Sequence, residues 1–172
     1  MNKRSCLPTP NSQLLSPMSI HYSQQRPDGF RVSSDPAQLD VDAICRYLAE
    51  DSYWAKNIPR ATVETAIQNS LNFGLSAPQG QLAGFARVVT DRATFAWLCD
   101  VFVLPEFRGL GLSKWLMECV WAHPELLGLR RRMLATLDAH SLYTRFGFTP
   151  LAHPDRFLES RVPNPYGADT AN

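Results

Sequence analysis

The chain contains few of the residues that mark specialised protein classes. Only four of its 172 residues are cysteines, and they stand far apart without a C-x-x-C pair. This spacing predicts neither a metal site nor a disulfide framework, so we expect a metal-free protein of a reducing, cytoplasmic setting. The sequence has no apolar run near the roughly 20 residues that a membrane helix needs. Its first residues also lack the apolar core of a secretory signal.

Net charge is also nearly absent. The 17 basic and 16 acidic residues give a formal charge of +1 at pH 7. A chain without an excess of positive charge has no general attraction for nucleic acid or for an anionic membrane surface, so we expect neither as a partner. The hydrophobic fraction of 45% is that of an ordinary globular protein.

Proline is the exception, with 13 residues against nine glycines. Four prolines fall within residues 1–28 and four within residues 149–172. Because polar, proline-rich segments cannot bury a core, we expect a flexible N-terminal extension over residues 1–28 and a C-terminal tail over residues 152–172. The folded domain is then predicted over residues 29–151.

Within that domain, helical and strand-like patterns alternate. FRVSS predicts a first strand, either Asp35-Pro36 or Asp40 can cap a first helix, and Pro59 begins a second helix. Three strand-like runs follow, and the last of them stops at Pro105. An amphipathic helix comes next, then the strand-like RRMLATL, a short helix ending at Gly147, and FTPL as a last strand. This order predicts a mixed α/β domain.

The glycine-rich segment RGLGLSK, residues 108–114, lies where a predicted strand gives way to a helix. The first N–H groups of a helix have no internal partner and carry partial positive charge, so such a turn can hold a phosphate. Lys114 and Trp115 do not fit the end of a P-loop motif, and Lys114 replaces the third glycine of a dinucleotide fingerprint. Neither of those nucleotide-binding motifs is therefore supported.

Two segments in order carry a family resemblance. VFVLPEFRGLGLSK, residues 101–114, resembles the coenzyme A motif of the GNAT acetyltransferase superfamily, and LYTRFGF, about 30 residues later, resembles its LY-x-x-x-GF segment. The resemblance covers residues 29–151. It implies the GNAT acyl-CoA N-acyltransferase fold, in which helices flank a central, mostly antiparallel twisted sheet.

The resemblance implies acetyl-CoA as co-substrate and assigns its binding residues. Val101, Phe102 and Val103 would meet the pantetheine arm, and their N–H groups could polarise the thioester carbonyl. The pyrophosphate would rest on the turn formed by Arg108, Gly109, Leu110, Gly111, Leu112, Ser113 and Lys114. Ser113 departs from the usual glycine or alanine, a small change that a hydroxyl group should tolerate.

The resemblance also implies a general acid. Tyr143 matches the tyrosine that protonates the leaving thiolate or hydrogen-bonds its sulfur, and the alternative is a tyrosine packed beside Phe146 and Phe148. For the base, the residues suggest Asp100, a carboxylate inside an apolar strand. The alternatives are a structural role for Asp100 and water as the base. Asp138 and His140 could form a second polar cluster close to Tyr143.

The acceptor side is less defined. Tyr53 and Trp54 follow the first helix, where the family has its acceptor pocket, and could clamp an amine or pack in the core. We expect an acyltransferase that acetylates a primary amine, of a small molecule rather than of a protein, and the resemblance makes a homodimer plausible. The alternatives are a protein lysine or N-terminal acetyltransferase and a non-catalytic acyl-CoA sensor.

Overall fold

A six-stranded sheet forms the centre of the structure, a computed structural model that describes residues 21–163 and 165–167. The strands lie side by side in chain order: β1 (Ser23–Gln25), β2 (Arg31–Ser33), β3 (Leu71–Ser76), β4 (Leu82–Thr90), β5 (Phe95–Val103) and β6 (Arg131–Leu134). Neighbouring strands are antiparallel except β5 and β6, which run parallel. The predicted fold class, a mixed α/β domain with a mostly antiparallel sheet, is confirmed.

Helices cover both faces of this sheet. They are α1 (Val41–Arg46), α2 (Arg60–Gln68), α3 (Leu112–Ala122) and the short α4 (His140–Tyr143). The start of α1 agrees with the sequence, because the Asp40 carboxylate accepts a hydrogen bond from the Ala43 N–H at 2.9 Å and so satisfies a free helical donor. Among the described residues, no helix has the length and apolarity needed to cross a membrane.

Two apolar clusters lie on opposite faces of the sheet. The larger one joins α3 to the strands and includes Phe73, Leu116 and Val120, all with no exposed surface. The smaller one joins α1 and α2 to the other face and includes Ile44 and Phe85. Because the sheet separates these clusters, α3 and the α1–α2 pair are fixed independently on its two sides.

Strand β5 carries one more residue than its partner β4 near Asp100. Phe102 pairs with Phe85, but Cys99 pairs with Arg87, so the register shifts by one between these pairs. Asp100 itself has a φ of 51°, in the left-handed region that few residues other than glycine adopt. This is a β-bulge, which bends the strand and increases its twist.

The bulge also preserves the core. Leu98 before it and Val101 and Val103 after it all pack in the α3 cluster. In a regular strand an even-numbered and an odd-numbered residue face opposite sides, so only the extra residue allows all three to face α3.

The two parallel strands share only part of their length. Residues Phe95–Leu98 of β5 pair with the whole of β6, and β5 then continues to Val103 without it. Beyond Leu98, the edge of β5 that faces β6 has no strand partner in the described chain. A gap therefore opens between the two strands, and the candidate site lies in this gap.

Two expectations about the ends of the domain were wrong. β1 lies within the segment expected to be a flexible extension, so the sheet begins before residue 29. The rest of that segment, residues 1–20, lies outside the described residues. FTPL, residues 148–151, forms no strand, and Pro150 has no N–H to donate to a neighbouring strand. The expected tail is also partly packed, since Phe157 lies 5.5 Å below the Arg131 guanidinium.

Candidate active site

The turn between β5 and α3 presents main-chain N–H groups that have no partner. Gly109 and Gly111 adopt φ values of 81° and 71°, and a Cβ atom on either would meet nothing within 4 Å. Within the described chain, the N–H groups of residues 109–114 donate no main-chain hydrogen bond. Free donors at the start of an 11-residue helix, below open space, form the kind of site that binds a phosphate.

Side chains contribute less to this turn than the motif suggests. The Arg108 Nε donates to the Val103 carbonyl oxygen at 3.1 Å, and one terminal nitrogen lies 3.5 Å from the Tyr47 hydroxyl. The Lys114 ammonium lies 3.7 Å from the Glu118 carboxylate on the helix surface. Arg108 therefore ties the end of β5 to the α1 side, and the main chain is left as the source of donors.

A residue outside the motif braces the same turn. Arg26, which follows β1, donates to the Leu110 carbonyl oxygen at 3.2 Å. Its guanidinium lies 5.6 Å from the centre of the Trp115 ring, and Asp28 pairs with it at 2.7 Å. The sequence offered no signal for this contact, because Arg26 stood in the expected extension.

The three strand residues assigned to the pantetheine arm differ in what they expose. The Phe102 side chain is 4% exposed and stacks on the Tyr47 ring with centroids 3.8 Å apart. Val103 is also buried, whereas Val101 is half-buried and reaches the gap. A ligand beside β5 could therefore meet Phe102 only through its main chain.

Tyr143 ends α4 and points into the gap from the β6 side. Its side chain is largely buried, and its ring lies edge-on to Phe148 with centroids 6.1 Å apart. Burial raises the pKa of the Tyr143 hydroxyl to about 12, with smaller contributions from Tyr53 and Asp138. The phenol is therefore fully protonated near neutral pH. It lines the gap, so the packing and the functional interpretations are compatible.

Both carboxylate oxygens of Asp100 have partners. One accepts the Arg87 Nε at 2.6 Å, and the other accepts the Trp54 indole N–H at 3.1 Å. The Asp100 and Arg87 side chains are only 13% and 17% exposed, so this is a largely buried ion pair. The carboxylate is held between the Arg87 guanidinium and the Trp54 indole, and this geometry favours Asp100 as the residue that positions Trp54.

Tyr53 and Trp54 lie at the entrance of the gap rather than in the core. Tyr53 is 57% exposed, and its ring is edge-on to that of Trp54 at 5.0 Å. The Tyr53 hydroxyl accepts a hydrogen bond from the Leu137 N–H at 3.3 Å, which links the loops on the two sides of the entrance. The alternative prediction, that Tyr53 packs in the core, is therefore wrong.

Two cavities meet in the gap. One, of about 510 Å³, follows the glycine turn and the end of β5, and the other, of about 470 Å³, lies between β5 and the loop after β6. We name them the cofactor cavity and the acceptor cavity. They share the residues at their junction: Tyr53, Trp54, Val101, Asp138, Ala139 and Tyr143. The predicted residues of both sides therefore meet at one place.

Some residues of the site were missed or misplaced. Arg87 and Trp97 carried no sequence signal, because only the strand register brings them to Asp100 and to the acceptor cavity. Cys99 lines that cavity, but burial raises the pKa of its thiol to about 12, so it is a poor nucleophile. Residues 130–132 line a different groove. No cluster of metal-binding side chains occurs within the described ranges.

A bent strand, a donor-rich turn and a buried tyrosine beside one gap define an acyltransferase-like site. Comparisons with known proteins agree with this class. The family model "Acetyltransferase (GNAT) domain" matches residues 70–150. A "putative acetyltransferase" of Gibberella zeae is 33% identical over 138 residues, 66% of this chain and 75% of that protein.

Solved structures extend the comparison. A structure of a "putative acetyltransferase belonging to the gnat family" from Xanthomonas campestris pv. campestris is 54% identical, with a TM-score of 0.77 over 80% of this chain and 96% of that one. Glucosamine-6-phosphate N-acetyltransferase from Arabidopsis thaliana shares the fold alone, at 13% identity and a TM-score of 0.52 over 85% of this chain and all of that one. The chain belongs to the GNAT acetyltransferase family.

Proposed function

We propose that this protein is an acetyl-CoA-dependent N-acetyltransferase that acetylates the primary amine of a small molecule by direct transfer. The observation that carries the proposal is the junction of the two cavities, where Tyr143 is accessible from both. Membership in an acetyltransferase family supports the reaction. An acceptor cavity of about 470 Å³ supports a small acceptor, since it is in the size range of small-ligand pockets.

The cofactor cavity suits the anionic end of coenzyme A. The free N–H groups of residues 109–114 would bind the pyrophosphate, and the unpaired edge of β5 would hydrogen-bond the pantetheine amides. When bound, acetyl-CoA would supply the thioester that an amine attacks. Main-chain N–H groups on the β5 edge would stabilise negative charge developing on the carbonyl oxygen.

Tyr143 would act on the leaving sulfur. Its hydroxyl remains protonated because its pKa is about 12. An ordinary thiol has a pKa of about 8.5, so this phenol is the weaker acid and complete proton transfer to a thiolate is unfavourable. We therefore propose that Tyr143 donates a hydrogen bond to the sulfur as its charge develops, which is one of the two roles that the family resemblance implies.

Water is the base that fits this site best. Both oxygens of Asp100 are engaged, by Arg87 and by Trp54. Asp100 would then hold the Trp54 ring at the entrance while a water molecule receives the proton of the attacking amine. Asp100 as the base stays a prediction, and a variant described in the Discussion distinguishes the two roles.

A thiol-release assay tests the proposal directly. The full chain is incubated with acetyl-CoA and with alkylamines, arylalkylamines, an amino sugar phosphate and a lysine-containing peptide. We expect release of free coenzyme A with at least one small amine and slower release with the peptide. Faster release with the peptide would favour a protein acetyltransferase. Tight coenzyme A binding without release for any amine would favour a sensor and overturn the proposal.

A further inference from the structure

The acceptor cavity has an unusual combination of charges and rings. None of its lining residues is basic, and two of them, Asp100 and Asp138, are acidic. Three aromatic side chains besides Tyr143 also line it, those of Tyr53, Trp54 and Trp97. Such a cavity is attractive to a cation and unattractive to an anion, before any detail of geometry is considered.

The two acids are not equivalent. The Asp100 charge is offset by Arg87 at 2.6 Å. Asp138 is exposed, and within the described chain its carboxylate takes part in no hydrogen bond and no ion pair. The cavity therefore holds one negative charge without a partner. Asp138 also lies at the junction with the cofactor cavity, close enough to Tyr143 to influence its hydroxyl.

The rings of Tyr53 and Trp54 line the same two cavities as this carboxylate. The Tyr53 hydroxyl binds the N–H of Leu137, the residue directly before Asp138. The exposed Tyr53 ring and the Trp54 ring, edge-on at 5.0 Å, thus face the same entrance as the carboxylate. A cation held there would contact a carboxylate on one side and aromatic faces on the other, two interactions that both favour positive charge.

We propose that the acceptor cavity selects a positively charged amine on an apolar, ring-sized group, and that Asp138 receives the ammonium, which gives up a proton to water before the neutral amine attacks the thioester. This rests on the proposed function for the identity of the cavity as the acceptor site. Asp138 is then a specificity-determining residue, and Tyr53 provides the aromatic face. Amines that also carry phosphate or carboxylate groups are poor acceptors, because no lining residue of the cavity can pair with an anion.

Binding can be measured without turnover. Benzyltrimethylammonium has the charge and ring of the proposed acceptor but no amine that can be acetylated, and phenylacetate is its anionic counterpart. By calorimetry on the full chain, we expect the cation to bind at least about tenfold more tightly than the anion, and more weakly as salt is raised. Equal affinity for the two probes would overturn the inference.

Variants assign the effect to residues. Asp138→Asn should weaken binding of the cation about three- to tenfold and change coenzyme A affinity less than this, although Asp138 also lines the cofactor cavity. Asp155→Asn, which removes an exposed charge outside the acceptor cavity, is the matched control and should change neither. Tyr53→Phe keeps the ring and should bind the cation with wild-type affinity. Tyr53→Leu removes the ring and should bind the cation more weakly. Unchanged cation binding in Asp138→Asn would disprove the role of Asp138.

The two proposals fail separately. If no amine releases thiol but the cation binds through Asp138, the proposed function is wrong and the cation site stands. If amines are acetylated but those carrying phosphate groups react as well as arylalkylamines, the function stands and the selectivity inferred here is wrong.

Discussion

The cofactor cavity and the acceptor cavity share six lining residues but are built in different ways. The cofactor cavity takes its donors from the main chain of one continuous segment, residues 109–114. The acceptor cavity takes its chemistry from side chains of three separate segments, after α1, on β5 and after β6. A main-chain site is determined by local backbone conformation, whereas a side-chain site depends on tertiary contacts, so the two should respond differently to substitution.

The largest effect is expected at Gly111. A Gly111→Val side chain would occupy the open space above the free N–H groups and should weaken coenzyme A binding at least about 100-fold, measured by calorimetry. Gly128→Val is the matched control, because Gly128 has a φ of 74° and equally open surroundings. Both variants should lose similar stability from left-handed strain, about 1–2 kcal/mol. Tight binding by Gly111→Val would show that the phosphate lies elsewhere.

The second-largest effect is expected at Asp100. Asp100→Asn leaves the largely buried Arg87 charge unpaired and should lower the free energy of unfolding by about 2 kcal/mol in denaturant titrations. Adding Arg87→Met to Asp100→Asn should restore part of this loss. If Asp100 is a positioning residue, the pH dependence of kcat/KM on its acidic side should be the same in these variants as in the wild type. Loss of that pH dependence together with about a 100-fold lower kcat would identify Asp100 as the base.

Tyr143→Phe should have a smaller and more selective effect. It removes the hydroxyl but keeps the packing against Phe148, so kcat should fall at least about tenfold while the coenzyme A dissociation constant stays nearly unchanged. Because the pKa of Tyr143 is about 12, its ionisation should cause no loss of activity between pH 7 and pH 10. Tyr22→Phe serves as a control, because Tyr22 packs beside His123 and lines neither cavity. An unchanged kcat in Tyr143→Phe would refute the role in catalysis.

The smallest effect is expected at Lys114, although it belongs to the same motif as Gly111. Its exposed side chain can be removed in Lys114→Ala without loss of a main-chain donor, so coenzyme A affinity should fall no more than about threefold at physiological salt. A loss of tenfold or more would mean that side-chain charge, not the main chain, dominates the cofactor cavity.

The same contrast explains what the sequence could predict. The glycine turn, the helix ending at Gly147 and the start of α1 at Asp40, one of its two predicted caps, are local features, and the structure agrees with each of them. β1 was missed because all three of its residues are exposed and it exists only through pairing with β2. A strand without an apolar face leaves no periodic pattern to detect.

Asp100 shows why the acceptor cavity could be predicted only in part from the sequence. Its place in an apolar strand correctly predicted that the carboxylate needs partners. The identity of those partners, Arg87 on β4 and Trp54 on a distant loop, depends on the bulge and the strand register. The sequence alone contains neither, so it suggested a base where the geometry favours a positioning residue.

The contact between Arg26 and the glycine turn has a practical consequence for anyone who shortens this protein. A chain trimmed at residue 29, the boundary that the sequence pattern recommends, would lose β1 and the guanidinium that holds the Leu110 carbonyl. Such a fragment should fold around the remaining strands yet bind coenzyme A more weakly than a chain that begins at residue 21. Calorimetry on the two fragments would measure how much of the cofactor affinity comes from a segment outside residues 70–150, which the family model matches.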